Sequence, residues 1–328
     1  MIDDNPSDEF PGLALDIRGV SHWYGPNRIL NDVNLKIRAG QIVALVGPSG
    51  CGKSTLLKAI LGTDPPAAGE VIADDKVIRS PSRNVGIVYQ NYSLYEFLTA
   101  ESNFAFGLKL DATSLPYRWF MFPEWWKKQR EQIAEARDFL KKVGLENASD
   151  RYPAQLSGGM RQRVAIAQAL ILKPKILLMD EPFGALDETT RENLQLMLLR
   201  LYQENLQAIS DGRQPEYTIL IVTHELNEAI YVADRVIGLS RFHDDGDRGA
   251  TIVYDRPCPV FRPDEPRDFE RFVAQREELR KAVFDPTYIK KRDKYVSFWE
   301  ELAKTQQAAA AKLGRPTGAA GPGSLSQT

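Results

Sequence analysis

Cysteine and histidine are scarce, two and three residues among 328. No cysteine pair has the spacing of a zinc site, and so little ligand material leaves a protein-built metal centre out of account. Cys51 and Cys258 cannot make a disulfide framework, so a reducing compartment is the plainer reading. Long hydrophobic runs are also missing. The most apolar stretches, 42–47 and 176–179 with their neighbours, fall far short of the roughly 20 residues that cross a bilayer. The opening MIDDNPSDEFPG is acidic and has neither the basic start nor the apolar run of an export signal. Neither sign of charge is in excess: 42 Lys and Arg against 44 Asp and Glu leave a formal net charge of -2, which argues against a strongly electrostatic nucleic-acid binder. These absences place the chain in the cytoplasm, with any membrane attachment supplied by partners.

The remaining composition, 43% apolar and 26% charged, supports one substantial core with a small satellite or extension. Residues 13–20 and 33–37 have strand-like patterning, and 41–46 is a more continuously apolar strand. That strand runs into GPSGCGKST, after which LLKAIL reads as a helix. Residues 69–77 resemble a hairpin, and 85–88 forms another apolar strand. From about 98 to 172 the period becomes helical, most clearly in REQIAEARDFLKKVGL. Strands return at 175–179 and 217–222, separated by a helix from about Glu188, and this alternation points to a parallel sheet with helices on its faces. Beyond Asp255 the proline-rich DRPCPVFRPDEP reads as irregular, RDFERFVAQREELRKAVF and VSFWEELAKTQQAAAAKLG read as helices, and the last residues read as disordered.

Gly47, Pro48, Ser49, Gly50, Cys51, Gly52, Lys53 and Ser54 satisfy G-x-x-x-x-G-K-[ST], followed by Thr55. Strand, glycine-rich loop and helix are the context this motif needs. Glycines let backbone amides close around phosphate oxygens, the helix N-terminus favours their charge, Lys53 reaches the terminal phosphates and Ser54 can ligate Mg2+. Asp180 and Glu181 follow the strand ILLM. At a strand's C-terminal end Asp180 can hold the magnesium, and Glu181 can orient or deprotonate the attacking water.

The segment Leu156-Ser157-Gly158-Gly159-Met160-Arg161-Gln162-Arg163 resembles the signature of ABC transporter ATPases, and ILLMDEPFGALD, residues 176–187, resembles their second nucleotide motif with its dimer-contact loop. The resemblance covers about residues 12–245. It implies an α/β fold: a P-loop NTPase sheet core of ABC ATPase type over 1–255 with an inserted helical subdomain over about 91–172; beyond it, the patterning gives a mostly helical C-terminal extension over 256–315 and a disordered tail over 316–328. It also implies residue roles. Tyr24 would stack on adenine, with Trp23 the competing ring. Gln90 would contact magnesium and the attacking water, and His224 the gamma-phosphate. Ser157, Gly158 and Gly159 would cap the nucleotide held by an opposite chain, and Asp187 would connect the two sites.

Implied ligands are ATP and Mg2+. Implied partners are a second ATPase subunit, identical or related, transmembrane permease subunits and a solute-binding protein, with no nucleic acid, at the cytoplasmic face of the inner membrane. RYPAQLSGG, and a first strand close to the start of the chain, resemble importers. VYQNYSLYEFLTAESNFAFGL resembles the nitrate, sulfonate and taurine branch, although Tyr95-Glu96-Phe97-Leu98-Thr99 replaces the usual proline-tryptophan-leucine-threonine run. The aromatic LPYRWFMFPEWW, residues 115–126, is either a local packed knob or a contact with the membrane partner or interfacial lipid. The competing function is a soluble ABC ATPase of DNA repair or translation. Only 65 residues lie between Gln90 and Leu156, too few for the long coiled coil of repair members, and translation members carry two cassettes.

Overall fold

The computed structural model describes residues 12–90, 94–111, 137, 140–141, 143–184, 186–240, 249–258 and 269–284. The aromatic segment 115–126, the expected helix in the region 296–314, the expected tail and most of REQIAEARDFLKKVGL lie outside the described residues.

Two sheets organise the chain. The smaller is antiparallel, in the order β2-β1-β4-β5, from β1 (Leu13–Tyr24), β2 (Asn27–Arg38), β4 (Ala68–Ala73) and β5 (Lys76–Val77). The larger has six strands in the order β10-β9-β3-β8-β7-β6, from β3 (Ile42–Val46), β6 (Val85–Val88), β7 (Ile176–Asp180), β8 (Ile219–Thr223), β9 (Arg235–Ser240) and β10 (Thr251–Pro257). All its pairings are parallel except that of β10 with β9.

Side-chain alternation divides the core. Val43, Leu45, Leu178, Leu220, Val222 and Ile237 turn to the face covered by the small sheet and helix α1 (Lys53–Leu61). Leu177, Met179, Ile219 and Ile221 turn to the other face, against Phe104 of α2 (Ala100–Asp111), Val164, Ile166 and Leu170 of α3 (Gly158–Leu170), and Leu194 and Leu198 of α4 (Glu188–Ser210). Further along that face, Ala44, Val46 and Val236 pack with Ala229 and Ile230 of α5 (Leu226–Val232) and with Leu279, Ala282 and Val283 of α6 (Phe269–Phe284). The C-terminal helix α6 is thus seated on the main sheet, and Ser240 Oγ donates to the Val283 carbonyl at 3.1 Å.

Four elements differ from the sequence reading. β1 and β2 run longer than 13–20 and 33–37, because register shifts beside Ile17, Val20 and His22 interrupt the alternation by which a strand is recognised. β9 was not expected at all: it opens on Arg235, whose charge is neutralised inside the fold by two 2.6 Å bonds to Asp255 and one of 2.7 Å to the Lys36 carbonyl. β10 continues through Asp255 to Pro257 where irregular chain was expected. It is an edge strand, where a terminal proline withholds no ladder bond.

Asp234, just before β9, is 5% exposed. Burial pushes its carboxyl up to about 8, with Arg235 and the backbone amides of Ile42 and of Asp234 itself pulling the other way. The folded chain therefore holds a proton that the unfolded chain releases near pH 4, so stability falls as pH rises from about 4 through 8. Asp234→Asn mimics the protonated form. It is expected to raise the melting temperature at pH 8 by about 5 °C or more, with the gain shrinking towards pH 4, as scanning calorimetry at the two pH values would read.

Candidate active site

Parallel strands present their carboxyl ends on one side of the sheet, and β3, β8, β7 and β6 are adjacent there. β3 delivers the loop of residues 47–52, β8 delivers His224, β7 delivers Asp180 and Glu181, and β6 leads to Gln90. Elements far apart in sequence converge on one edge.

The loop is shaped for an anion. Gly50 and Gly52 have φ of +72° and +108°, and a Cβ on Gly52 would press on Leu30 and Ile29 at 2.9 and 3.0 Å. Gly52 caps α1 without a side chain, and the first intrahelical bond runs from the Leu56 amide to Gly52 O. Helix geometry therefore leaves the amides of Lys53, Ser54 and Thr55 without an intrahelical acceptor, and the first turn holds no acid to occupy them. Lys53 is only 7% exposed, and its ammonium donates to the carbonyls of Gly47 at 2.7 Å and Pro48 at 3.2 Å. Ser49, Gly50 and Ser54 are exposed, whereas Cys51 and Thr55 are buried beneath the loop.

Beside the loop, Asp180 has its carboxyl raised by burial and by neighbouring Glu181, while Lys53 opposes the shift. Among the described residues no group of three or more His, Cys, Asp or Glu is set to hold a metal. A magnesium ion fits this edge only as Mg2+ commonly binds, through one carboxylate, the Ser54 hydroxyl and the phosphates of a nucleotide. Glu181 has φ +47°, a left-handed conformation unusual for a residue with a side chain, fixed by its amide donating to Val222 O at 2.8 Å. The side chain leaves the strand and meets His224, whose Nδ1 donates to Oε1 at 3.1 Å. Gln90 Nε2 and Glu181 Oε2 both lie near the Cβ position of Gly184. Gln90, Glu181 and His224 therefore share one exposed corner.

Tyr24 ends β1 with an exposed ring, and its hydroxyl donates to Asp64 Oδ2 at 2.6 Å, a bond that holds the phenol's pKa above its ordinary value. Thr55 of α1 also meets the hydroxyl. The ring of Trp23 instead carries the Arg28 guanidinium, 5.0 Å from its centroid. Neighbouring residues of a strand face opposite sides, and Tyr24 is the one on the α1 side. Its supports were not foreseen: His22 meets Tyr24 edge-on at 4.8 Å and lies 3.5 Å from Asp64. No local pattern links residues 40 positions apart.

Ser157, Gly158, Gly159 and Asp187 form a second group. Ser157 is the N-cap of α3, accepting from the Met160 amide at 3.3 Å, and Asp187 is the N-cap of α4, accepting from Thr190 at 3.0 Å, which holds its carboxyl low. Both caps are exposed. A Cβ on Gly159 would overlap the Thr190 methyl, so glycine is what lets the two helix starts touch. The signature turn and the Asp187 turn thereby form one solvent-facing edge.

A phosphate loop on β3, an acid pair two strands away on β7 and a histidine on β8 between them define a nucleotide hydrolase of the P-loop class. The ABC transporter family model matches residues 30–184; the chain is 40% identical to the sulfate/thiosulfate import ATP-binding protein CysA of Pseudomonas aeruginosa, over 76% of this chain and 70% of that protein. It is 38% identical to the taurine import ATP-binding protein TauB of Escherichia coli, over 85% and 95%, and 35% identical to the bicarbonate transport ATP-binding protein CmpD of Synechocystis sp., over 89% and 91%. The chain belongs to the ATP-binding subunits of ABC transporters, in the importer group of these relatives, and is an ATP-binding and ATP-hydrolysing subunit. Among solved structures, a dimeric ATP-binding cassette in a post-hydrolysis state bound to ADP and Pi matches with a TM-score of 0.57 at 31% identity, over 75% of this chain and all of that one.

Proposed function

We propose that this chain is the motor of a solute importer, working as a head-to-tail pair in which each subunit completes the other's nucleotide site. The 3.1 Å contact between Glu181 and His224, beside the Lys53 loop, carries this reading. Tyr24 offers its face to adenine. The amides of the loop and the Lys53 ammonium hold the phosphates, and Asp180, Ser54 and Gln90 hold Mg2+, which when bound neutralises phosphate charge. Glu181 takes the proton of the attacking water. His224 fixes the Glu181 carboxylate and faces the terminal phosphate.

Ser157, Gly158 and Gly159 reach the phosphates bound by the opposite chain, and Asp187 lies at the seam. Two facts support this: both helix caps face solvent, and the positive end of α3 points outward with them. Bound ATP then joins two surfaces that are incomplete alone, and its hydrolysis releases them.

The membrane partner is a permease, with a solute-binding protein outside, and the chain sits on the cytoplasmic face of the inner membrane. Sulfate, thiosulfate, taurine and bicarbonate are the solutes named for relatives. A small oxyanion or sulfonate, nitrate among them, is the substrate class. A groove of about 530 Å³ between β6 and α3 is lined by Val88, Tyr89, Ala165, Ala169 and Leu172, and Phe97 is 73% exposed in the segment after Gln90. Apolar surface that includes Tyr89, the residue before Gln90, and exposed Phe97 suits a permease helix, whose movement Gln90 would report. The test is recovery of a multispanning protein with the tagged chain from gently solubilised native membranes. Stoichiometric recovery, falling at least about fivefold for Phe97→Ser with ATP hydrolysis retained, supports the reading; ribosomal or DNA-associated proteins in its place would overturn it.

A further inference from the structure

Arg191 and Glu228 belong to neither the phosphate loop nor the Glu181 corner, yet they stand between the two turns on which closure depends. Arg191 lies in the first turn of α4. Its Nη2 donates to the Leu186 carbonyl at 3.2 Å, in the residue before Asp187. Its Nε lies 3.2 Å from Oε1 of Glu228 on α5. The other oxygen, Oε2, is 3.5 Å from Thr223 Oγ1, and that hydroxyl oxygen accepts from the Glu225 amide at 3.0 Å, bracketing His224. An unbroken series of polar contacts thus runs from the Asp187 turn to the His224 turn.

Stability alone is a poor account of this pair. Glu228 is 8% exposed, and burial raises its carboxyl to about 7, with Arg191 the main influence in the other direction and Glu225 adding to the rise. An ion pair whose arginine side chain is 39% exposed contributes little to stability, because solvent screens it. The pair also lines a groove of about 450 Å³ between α4, α5 and α6, with Tyr231, Phe272 and Arg276, so it can shift without repacking the core.

We propose that Arg191 and Glu228 are positioning residues that tie the Asp187 turn to the His224 turn, so that docking of a second copy on the Asp187 edge holds in place the His224–Glu181 contact that the single chain already makes. A planar guanidinium that donates to Leu186 and pairs with Glu228 cannot follow one partner without displacing the other. The inference rests on the reading of Glu181 and His224 as catalytic and of the Asp187 edge as the dimer seam.

The test measures ATP hydrolysis by the full-length chain, with melting temperatures in parallel, for Arg191→Lys, Glu228→Gln and both together, beside Glu181→Gln. Lysine keeps the charge but cannot span both partners; glutamine keeps the shape without the charge. Each single change is expected to lower kcat about tenfold with KM for ATP within about twofold, and the double no further than either alone. Losses that multiply in the double, a kcat at the wild-type level, or KM and melting temperature changing in step with kcat would overturn the proposal. Wild-type hydrolysis by Glu181→Gln would instead overturn the catalytic reading beneath it, whereas loss in Glu181→Gln alone would leave that reading intact and remove only the tie.

Discussion

Glu181→Gln is expected to lower kcat for ATP hydrolysis about a thousandfold while leaving the KM for ATP within a few fold. Glutamine has the size of glutamate, and its amide oxygen can still accept from His224 Nδ1, now 3.1 Å from Oε1. It cannot take a proton from water at neutral pH. The groups assigned to binding, Lys53 with its two carbonyl contacts and the free amides that begin α1, are untouched. If ATP joins the two subunits and hydrolysis parts them, slowing one step alone must change the population of the other. The variant should therefore elute as a dimer in MgATP and as a monomer without nucleotide, whereas the wild-type dimer should decay as ATP is consumed. A variant that still hydrolyses ATP at the wild-type rate would pass the role of base to another group. A variant that loses hydrolysis without accumulating dimer would separate catalysis from closure.

What could be read in the sequence was chemistry carried by consecutive residues. The phosphate loop is legible because an apolar strand, three glycines, a lysine and a helix adjoin along the chain, and the structure places them as β3, the loop and α1. Asp180 and Glu181 were legible as acids at the end of an apolar strand. The strain at Glu181 was not: its φ of +47° is fixed by the hydrogen bond its amide donates to the Val222 carbonyl, on a strand 41 positions away. The choice between Tyr24 and Trp23 could not be made from SHWYG, because it depends on which ring faces α1, and Asp64 and Thr55 mark that side. β9 escaped notice because it opens with a charge whose partner, Asp255, lies on the next strand. For the same reason, irregular chain was expected over Asp255–Pro257, the end of β10: proline and charge look like loop until their partners are in place. Arg191 and Glu228 were invisible as a pair, since α4 and β8 intervene between them.

Lys53→Ala is expected to weaken ATP binding about a hundredfold, measured by titration calorimetry with and without Mg2+. The ammonium sits almost out of solvent, held by the carbonyls of Gly47 and Pro48, so its position is fixed before any phosphate arrives. Phosphate oxygens would replace those carbonyls, and two charge-assisted bonds at about 1.5 kcal/mol each correspond to the stated loss. Lys53→Arg is expected to restore less than half of the binding free energy, because the broader guanidinium must enter a loop backed by Leu30 and Ile29 beneath Gly52. Asp180 adds a second consequence. Its carboxyl is raised by burial and by Glu181, with Lys53 as the opposing influence, so removing the lysine pushes it higher still. A carboxyl closer to protonation binds a divalent ion less well. The affinity gained on adding Mg2+ should therefore be smaller in Lys53→Ala than in the wild type, and the deficit should widen as the pH is lowered. An equal Mg2+ effect in both would separate Asp180 from the metal and leave Lys53 acting on phosphate alone.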